Sequence, residues 1–352
     1  MYKVTQYTNF LKKNIRMKKK EIYTALGLMS GTSMDGVDTS IISSKDGDKT
    51  FEPLIDRYFE YDKGLREKLT NLRDVINNLE DLTVYCDKIK LINKEITLFH
   101  AKIIDLIIKS NPKLNIDIIG FHGQTIFHDS KEMISLQLGD GKLLSQLTKK
   151  KVVFNFRNND LKNNGQGAPL TPVFHQLIIE KNSNKNQPII VLNIGGISNA
   201  TCSLLENVNE NLKLDKNLYL RAADIGPGNC LIDKWIRKNS KYKYDNNGQI
   251  ARTGKVDRLI YNQALDFCLT DNTNNYEKLK SLDIKDFDIS FARGLSLEDG
   301  AATITHLTAE LICEGMKQFI LKNYKKNIQF KFDPIILICG GGRKNEYLIE
   351  IL

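Results

Sequence analysis

Residues Gly27 to Asp38, Gly-Leu-Met-Ser-Gly-Thr-Ser-Met-Asp-Gly-Val-Asp, concentrate the groups that handle phosphate. Gly31, Met34, Gly36 and Val37 offer backbone N–H groups, Thr32 and Ser33 add hydroxyls, and Asp35 and Asp38 add carboxylates. Amides and hydroxyls lining one concavity make an anion cradle, and two nearby carboxylates can orient a hydrated Mg2+. The flanks, Ile22–Leu28 and Val37–Ile42, both have strand composition, so the loop joins two strands. That context excludes a Rossmann turn, which must open a helix. A Walker A loop is excluded as well, because its nearest approach, at Gly248, puts five residues before Gly254-Lys255 and follows them with Val256. The competing reading of Gly27–Asp38 is an ordinary glycine-containing hairpin turn.

Five further clusters carry polar chemistry. Ile116–Ile119 reads as a short buried strand ending in Gly120-Phe-His-Gly-Gln-Thr125, and the end of a strand in an α/β sheet is where ligands bind. His122 and Gln124 are therefore expected to touch a ligand, against the alternative of a core histidine satisfied by a carbonyl. Arg157 follows the strand-like Val152–Phe156 and precedes the loop Gly165–Pro172. It could clamp a substrate carboxylate or simply pair with Asp160 at the surface, and spacing does not choose between them. Pro188–Leu192, the turn Asn193-Ile-Gly-Gly-Ile-Ser-Asn199 and Ala200–Leu205 then repeat the opening pattern of strand, glycine turn and strand, which brings Asn193, Gly195, Gly196 and Ser198 into a second phosphate hairpin. Asp224, after Leu218–Ala223 and before Ile-Gly-Pro-Gly-Asn229, is placed either as a general base or as a helix cap. Last, Gly340, Gly341 and Gly342 follow a buried strand and would let a flat base approach the backbone.

The elements that must position these groups are legible from periodicity. Helices are expected over Gly64–Leu79 and Tyr85–Ile108, the second with Ile89, Ile92, Ile96, Phe99, Ile103 and Leu106 at helical spacing. A long amphipathic helix is expected over Leu297–Asn323, where Ile304, Leu307, Leu311 and Met316 repeat. A length of 352 residues with 41% hydrophobic residues suits two domains with sizeable cores. The boundary is expected at 185/186, after a basic N-terminal extension over residues 1–20. No apolar run approaches a membrane span, and the N-terminus lacks the apolar stretch of a secretory signal, so a cytoplasmic protein is expected. The six cysteines lack metal-ligand or disulfide spacing. Seven Lys/Arg and no acid lie in the first twenty residues, leaving +2 of the net +9 on the rest. With no aromatic-interleaved basic stripe, neither nucleic acid nor membrane is an expected partner. The tail itself reads as an electrostatic arm or as a disordered extension ahead of a start at Met17.

Taken in order, the motifs Gly27–Asp38, Gly120–Thr125, Asn155-Phe-Arg157 with Gly165-Gln-Gly-Ala-Pro-Leu170, Leu192–Asn199, Asp224–Asn229 and Cys339–Asn345 closely resemble the anhydro-N-acetylmuramic acid kinases, over Tyr23 to the C-terminus. The resemblance implies a two-lobed, actin-like ATPase fold in the sugar-kinase and heat-shock ATPase superfamily, an α/β protein with a duplicated ribonuclease H-like βββαβα core and ATP in an inter-lobe cleft. It implies an enzyme that opens 1,6-anhydro-N-acetylmuramic acid with water and phosphorylates O6 from ATP and Mg2+, in peptidoglycan recycling and amino sugar catabolism. By the same resemblance Asp224 is the catalytic base, which breaks the tie with the capping role. Gly31–Asp38 and Asn193–Ser198 bind the ATP phosphates, and Gly340–Gly342 lies near the adenosine. His122, Gln124 and Arg157 are the expected sugar contacts, and a homodimer is the expected assembly.

Two departures accompany the resemblance. Asn163-Asn164 precede Gly165 where relatives carry small residues, a mild change because Asn tolerates left-handed backbone. The chain also stops at Leu352, whereas family members continue through a glycine- and acid-containing segment and a closing helix that bring a further glutamate to the sugar. A shortened chain is therefore expected. The alternatives to the kinase are a degenerate nucleotide- or sugar-binding member without turnover, and a kinase for another sugar on the same fold.

Overall fold

The computed structural model describes residues 22–31, 33–45, 50–129, 131–182, 189–204, 219–278, 287–323 and 334–352. The basic extension over 1–20 and Thr32 lie outside the described residues. Contacts divide the chain into two compact units that meet in sequence at Leu170/Thr171. The sequence expects this boundary at 185/186. The difference is the helix Pro172–Asn182, whose Ile179 packs on Ile189 and Val191 of the second unit's sheet.

In the first unit, β1 (Ile22–Ser30), β2 (Gly36–Lys45) and β3 (Thr50–Glu60) form an antiparallel meander. Three helices follow, α1 (Lys63–Val75), α2 (Leu79–Val84) and α3 (Cys86–Ser110). The chain then returns as β4 (Ile118–Asp129), parallel to β1. Beyond it, β4 forks. Its first half pairs in parallel with β6 (Lys151–Phe154) and its second half antiparallel with β5 (Ile134–Leu138). Helix α4 (Gly141–Thr148) joins those arms, and α5 (Phe156–Lys162) follows β6.

The second unit begins with α6 (Pro172–Asn182) and repeats the scheme. Strands β7 (Ile189–Ile194), β8 (Ile197–Leu204) and β9 (Tyr219–Pro227) form a meander. Helices α7 (Cys230–Asn239), α8 (Gln249–Thr253), α9 (Arg258–Lys278) and α10 (Leu297–Asn323) intervene before β10 (Ile335–Cys339), parallel to β7, and α11 (Glu346–Ile351) closes the unit. The sheet orders β3-β2-β1-β4 and β9-β8-β7-β10 are the same topology written twice. A βββαβα core present in duplicate is the α/β architecture of the two-lobed actin-like ATPases, as the sequence led us to expect.

Each unit buries its own core. Leu26, Leu28, Val37 and Ile41 of the first sheet meet Leu69 and Leu72 of α1 and Ile92, Ile96, Ile103 and Ile104 of α3. Leu106, expected on that stripe, is exposed, and Ile104 and Ile107 are buried instead, because at 100° per residue a face must step by four as well as three. The helix expected over Gly64–Leu79 stops at Val75. Asn78 opens α2 with a capping box, its side chain accepting from Asp81 N–H and Asp81 answering to the Asn78 N–H. In the second unit, Leu192, Ile194, Ala200 and Ile225 pack against Trp235 and Ile236 of α7 and Ala301, Ile304 and Ile312 of α10. No helix of the described residues is long and apolar enough to cross a membrane.

Candidate active site

In the first unit, the β1–β2 turn is braced from below. The Gly31 carbonyl accepts from Met34 N–H at 3.3 Å, and the Asp35 carbonyl accepts from Tyr61 N–H at 2.9 Å. Ser30 Oγ lies 2.8 Å from the Tyr61 hydroxyl and 3.4 Å from His100 Nε2, a buried polar group under the loop that the sequence did not suggest. The side chains of Met34 and Val37 are buried and anchor the turn. Ser33 Oγ donates to Asp35 Oδ1 at 2.6 Å. Tyr58, which sequence reading passed over because it belongs to the neighbouring strand β3, hydrogen-bonds to Asp35. Its pKa is driven upward by burial first and then by the charges of Asp35 and Asp38. Both carboxylates therefore act on one spot beside the turn. No group of three or more His, Cys, Asp or Glu that could hold a metal exists among the described residues. Two carboxylates nevertheless suit Mg2+, which keeps most of its waters and takes phosphate oxygens as further ligands.

Gly120–Thr125 does not lie at the end of a strand, as expected, but inside β4, which continues to Asp129 and is held by β5. His122 is buried. Its Nδ1 lies 2.7 Å from the Gly123 carbonyl and its Nε2 accepts from Arg157 Nη2 at 2.8 Å and Nε at 3.2 Å. Burial, and then the Arg157 charge, push the His122 pKa down to about 4 against the bond to Gly123, so the ring is a neutral acceptor at pH 7. Arg157 stands on the first turn of α5 and donates through Nη1 to the Gly167 carbonyl at 2.8 Å. Asp160 does not pair with it. The Asp160 carboxylate accepts from the N–H of the same Gly167 at 2.7 Å, so the two side chains together hold the Gly165–Gly167 loop. Gln124 is fully buried and donates from Nε2 to the Gly31 carbonyl at 2.9 Å, which ties it to the phosphate turn and not to an open surface. Beside His122, a cavity of about 220 Å3 opens in the fork between β5 and β6. Its walls include the rings of Phe121 and Phe154 and the polar groups of Ser135, Gln137, Asn155 and Asn158. Gln137 and Ser135 alternate along β5, a signal that a period-two reading of Ile134–Leu138 could have found.

In the second unit, three of the motifs meet at the end of β7. The Gly195 carbonyl accepts from Asn229 N–H at 2.7 Å, and the Gly196 carbonyl accepts from Gly228 N–H at 2.9 Å and Cys230 N–H at 3.2 Å. The glycine turn thus satisfies amides that the first turn of α7 would leave unpaired. Ser198 Oγ donates to the Pro227 carbonyl at 2.9 Å, and the Gly195 N–H goes to the Ile197 carbonyl at 3.3 Å. A Cβ on Gly340, which stands at φ +84°, would overlap the Ile194 carbonyl and Asn193 Oδ1, and one on Gly342 would overlap the Ile194 side chain. Two of the three glycines are therefore required by packing. Gly341 differs, since the nearest atom to a Cβ there is Asn229 Nδ2 at 3.8 Å, and Gly31 in the first unit has comparable room, with Ser33 Oγ at 3.7 Å. At both glycines a Cβ would meet nothing closer than ordinary van der Waals distance.

Asp224 lies within β9, not at its end, and α7 is preceded by Asn229, so the capping role is excluded. Registers align Cys339 with Asn193, Asn193 with Asn199, and Asn199 with Asp224, a polar row across all four strands whose side chains share one face. Asn199, which sequence reading did not single out, has a buried Oδ1 without a protein partner among the described residues. The carbonyl of Ile225, next to Asp224, is pressed against α10 at Gly315, where a Cβ would overlap it.

The sequence profile of the family described as anhydro-N-acetylmuramic acid kinase matches residues 23–352. The chain is 50% identical over 331 residues to the anhydro-N-acetylmuramic acid kinase of Pelagibacter ubique (strain HTCC1062), covering 94% of this chain and 83% of that one. It is 34% identical over 335 residues to the enzyme of the same name from Zymomonas mobilis subsp. mobilis, covering 93% and 83%. Among solved structures, a Schistosoma mansoni hexokinase complexed with glucose is distantly similar, at 11% identity and a TM-score of 0.37, covering 94% of this chain and 78% of that one. Residues 23–352 place the chain in the anhydro-N-acetylmuramic acid kinase family.

Proposed function

We propose that this protein is an ATP-dependent kinase that opens 1,6-anhydro-N-acetylmuramic acid with water and phosphorylates the released O6, giving N-acetylmuramic acid 6-phosphate and ADP. The observation that carries the reading is the row Asn193, Asn199, Asp224, which aligns a carboxylate with the glycine turn of the second unit. Asp224 takes a proton from water as that water bonds to C1 of the sugar. The C1–O6 bond breaks, its electron pair stays on O6, and O6 forms the new bond to the γ-phosphorus as the bond to ADP breaks. Positioning supplies most of the rate, and the rigid strands β1, β7 and β9 hold the groups that do it.

The amides and hydroxyls of Gly31–Asp38, with Thr32 and Ser33, and the turn Asn193–Ser198 are assigned to the ATP phosphates, and Gly340–Gly342 to the adenosine side, where a Cβ on Gly341 would meet nothing closer than Asn229 Nδ2 at 3.8 Å. Asp35 and Asp38 would hold Mg2+ through water, and the ion when bound neutralises charge on the phosphate oxygens. His122 and Arg157 are assigned to the sugar. The adjoining cavity supports this, because aromatic walls suit the C–H face of a pyranose and amides suit its hydroxyls. The substrate is a fragment of peptidoglycan, so the reaction belongs to the recycling of that polymer, and we assign the protein to the cytoplasm as a homodimer.

The test is a coupled assay of ADP release with 1,6-anhydro-N-acetylmuramic acid, beside Asp224→Asn. Sugar-dependent turnover that disappears in the variant supports the kinase. Nucleotide binding without turnover in the unmutated protein overturns it, and turnover with an ordinary hexose alone reassigns the substrate.

A further inference from the structure

We propose that Gln124 is a positioning residue for the first phosphate turn rather than a ligand of the sugar, an inference that rests on the nucleotide-binding part of the reading above. Strands β1 and β4 run in register from Ala25 opposite Ile118 to Leu28 opposite Phe121, and the next partners are Ser30 and Gln124. Met29 of β1 is thus matched by two residues of β4, His122 and Gly123, which is a bulge. Gly123 absorbs the extra residue at φ +73°, and a Cβ at this position would overlap the Leu138 carbonyl. In an unbroken strand the side chains of His122 and Gln124 would share a face. The bulge separates them, so that His122 reaches Arg157 and Gln124 reaches Gly31.

The Gln124 amide nitrogen lies 2.9 Å from the Gly31 carbonyl and 3.4 Å from that of Thr125. Both neighbours are acceptors, so the NH2 end must face them. The Gly31 oxygen also accepts the Met34 N–H that closes the turn. Held by two donors, this carbonyl is turned into the protein. Released, it could swing its partial negative charge toward the phosphates that the turn is built to attract. Gln124 therefore selects the form of the loop that suits an anion. The floor is pinned on either side as well, at Ser30 by Tyr61 and His100 and at Asp35 by the Tyr61 N–H. The Gln124 side chain is fully buried, and its Oε1 has no hydrogen-bond partner among the described residues, so its recorded role falls to the NH2 end.

The experiment compares the unmutated protein with Gln124→Met, which keeps the length and loses the donor, and with Gln124→Glu, which regains a donor only when protonated. ADP affinity is read by calorimetry, and KM is read separately for ATP and for 1,6-anhydro-N-acetylmuramic acid. Gln124→Met is expected to weaken ADP binding and raise the ATP KM about tenfold, the scale of one lost hydrogen bond, with the sugar KM within about twofold. Gln124→Glu is expected to recover nucleotide affinity on acidification from pH 8 to 6, relative to the unmutated protein. A rise in the sugar KM with nucleotide affinity unchanged would overturn the proposal, and so would folded variants that leave both unchanged. Should Gln124→Met fail to fold, the pH dependence of Gln124→Glu decides. Should the unmutated protein bind ADP without turning over the sugar, the kinase reading fails while the calorimetry still decides the role of Gln124.

Discussion

Arg157 and His122 form a pair in which a buried guanidinium donates to a neutral imidazole, Nη2 to Nε2 at 2.8 Å, instead of to a carboxylate. The guanidinium Nη1 donates to the Gly167 carbonyl, so among the described residues its hydrogen-bond partners are neutral and its charge is oriented without being cancelled. On the proposed assignment of Arg157 to the sugar, this cation would meet an anionic group of the substrate, and N-acetylmuramic acid carries a carboxylate. Arg157→Met should raise the KM for the anhydro sugar by about tenfold or more, in line with loss of a charge-assisted hydrogen bond, while the ATP KM stays within about twofold. Steady-state kinetics with each substrate varied in turn checks this. Equal effects on both substrates would show that Arg157 only supports the fold.

Protonation of buried histidines should set the acid limit of stability. His100, on α3 and 3.4 Å from Ser30 Oγ under the phosphate turn, and His175, bonded to Thr201 Oγ1 at 2.8 Å in the second unit, are both pushed by burial from 6.5 down to about 4, as is His122. These folded-state values are depressed, so the unfolded chain binds more protons between them and 6.5. The contribution of the neutral rings is complete above pH 6.5 and is lost as pH falls from there through 4. Thermal unfolding followed from pH 7.5 to 4.5 should show a flat melting temperature above about 6.5 and a steep decline below. A profile that is flat down to pH 4.5 would contradict the assignment.

Gly315 should be intolerant of even one methyl group. In a helix interior Gly→Ala ordinarily stabilises by about 1 kcal/mol, but here the Cβ would overlap the Ile225 carbonyl beside Asp224. Gly315→Ala is therefore expected to destabilise by about 1–3 kcal/mol, the usual scale of overpacking, and to lower kcat by displacing β9. Denaturant melts and kcat on the same preparation test both parts, and a stabilised variant would show that α10 yields freely.

Removal of divalent cations should abolish turnover, and Asp35→Asn should raise the Mg2+ concentration needed for half-maximal activity. Loss of one of two carboxylates near the turn removes part of the charge that holds the ion's waters, and a shift of about tenfold is expected. The same substitution should lower the pKa of Tyr58, since Asp35 contributes both charge and a hydrogen bond to its elevation. Ultraviolet titration of the tyrosines offers a readout independent of activity.

Much of this architecture was legible before any coordinates. Helix α10 begins and ends where its apolar repeat does, at Leu297 and Asn323, because 27 residues of periodic sequence leave little latitude. Both glycine hairpins were visible from strand composition on either side of each turn. Less regular features were missed for local reasons. Gly120–Thr125 is polar and glycine-rich, which reads as a loop, yet it is a strand because β1, β5 and β6 surround it. Here pairing overrides propensity. Gln124 is expected to touch a ligand because Gly120–Thr125 reads as the polar end of a strand, whereas the segment lies inside β4 and, past the bulge at Gly123, the side chain meets Gly31.

The order and chemistry of the motifs, and with them the family, were determined by the chain alone, since glycines at turns and carboxylates beside strands depend on local rules of backbone and charge. Which carbonyl each donor meets was decided by the tertiary structure. The bond from Gln124 to Gly31 spans 93 positions, and the row from Cys339 through Asn193 and Asn199 to Asp224 is assembled from strands far apart in the sequence. Contacts of that kind follow from register and from a single inserted residue, and neither is written in any one segment.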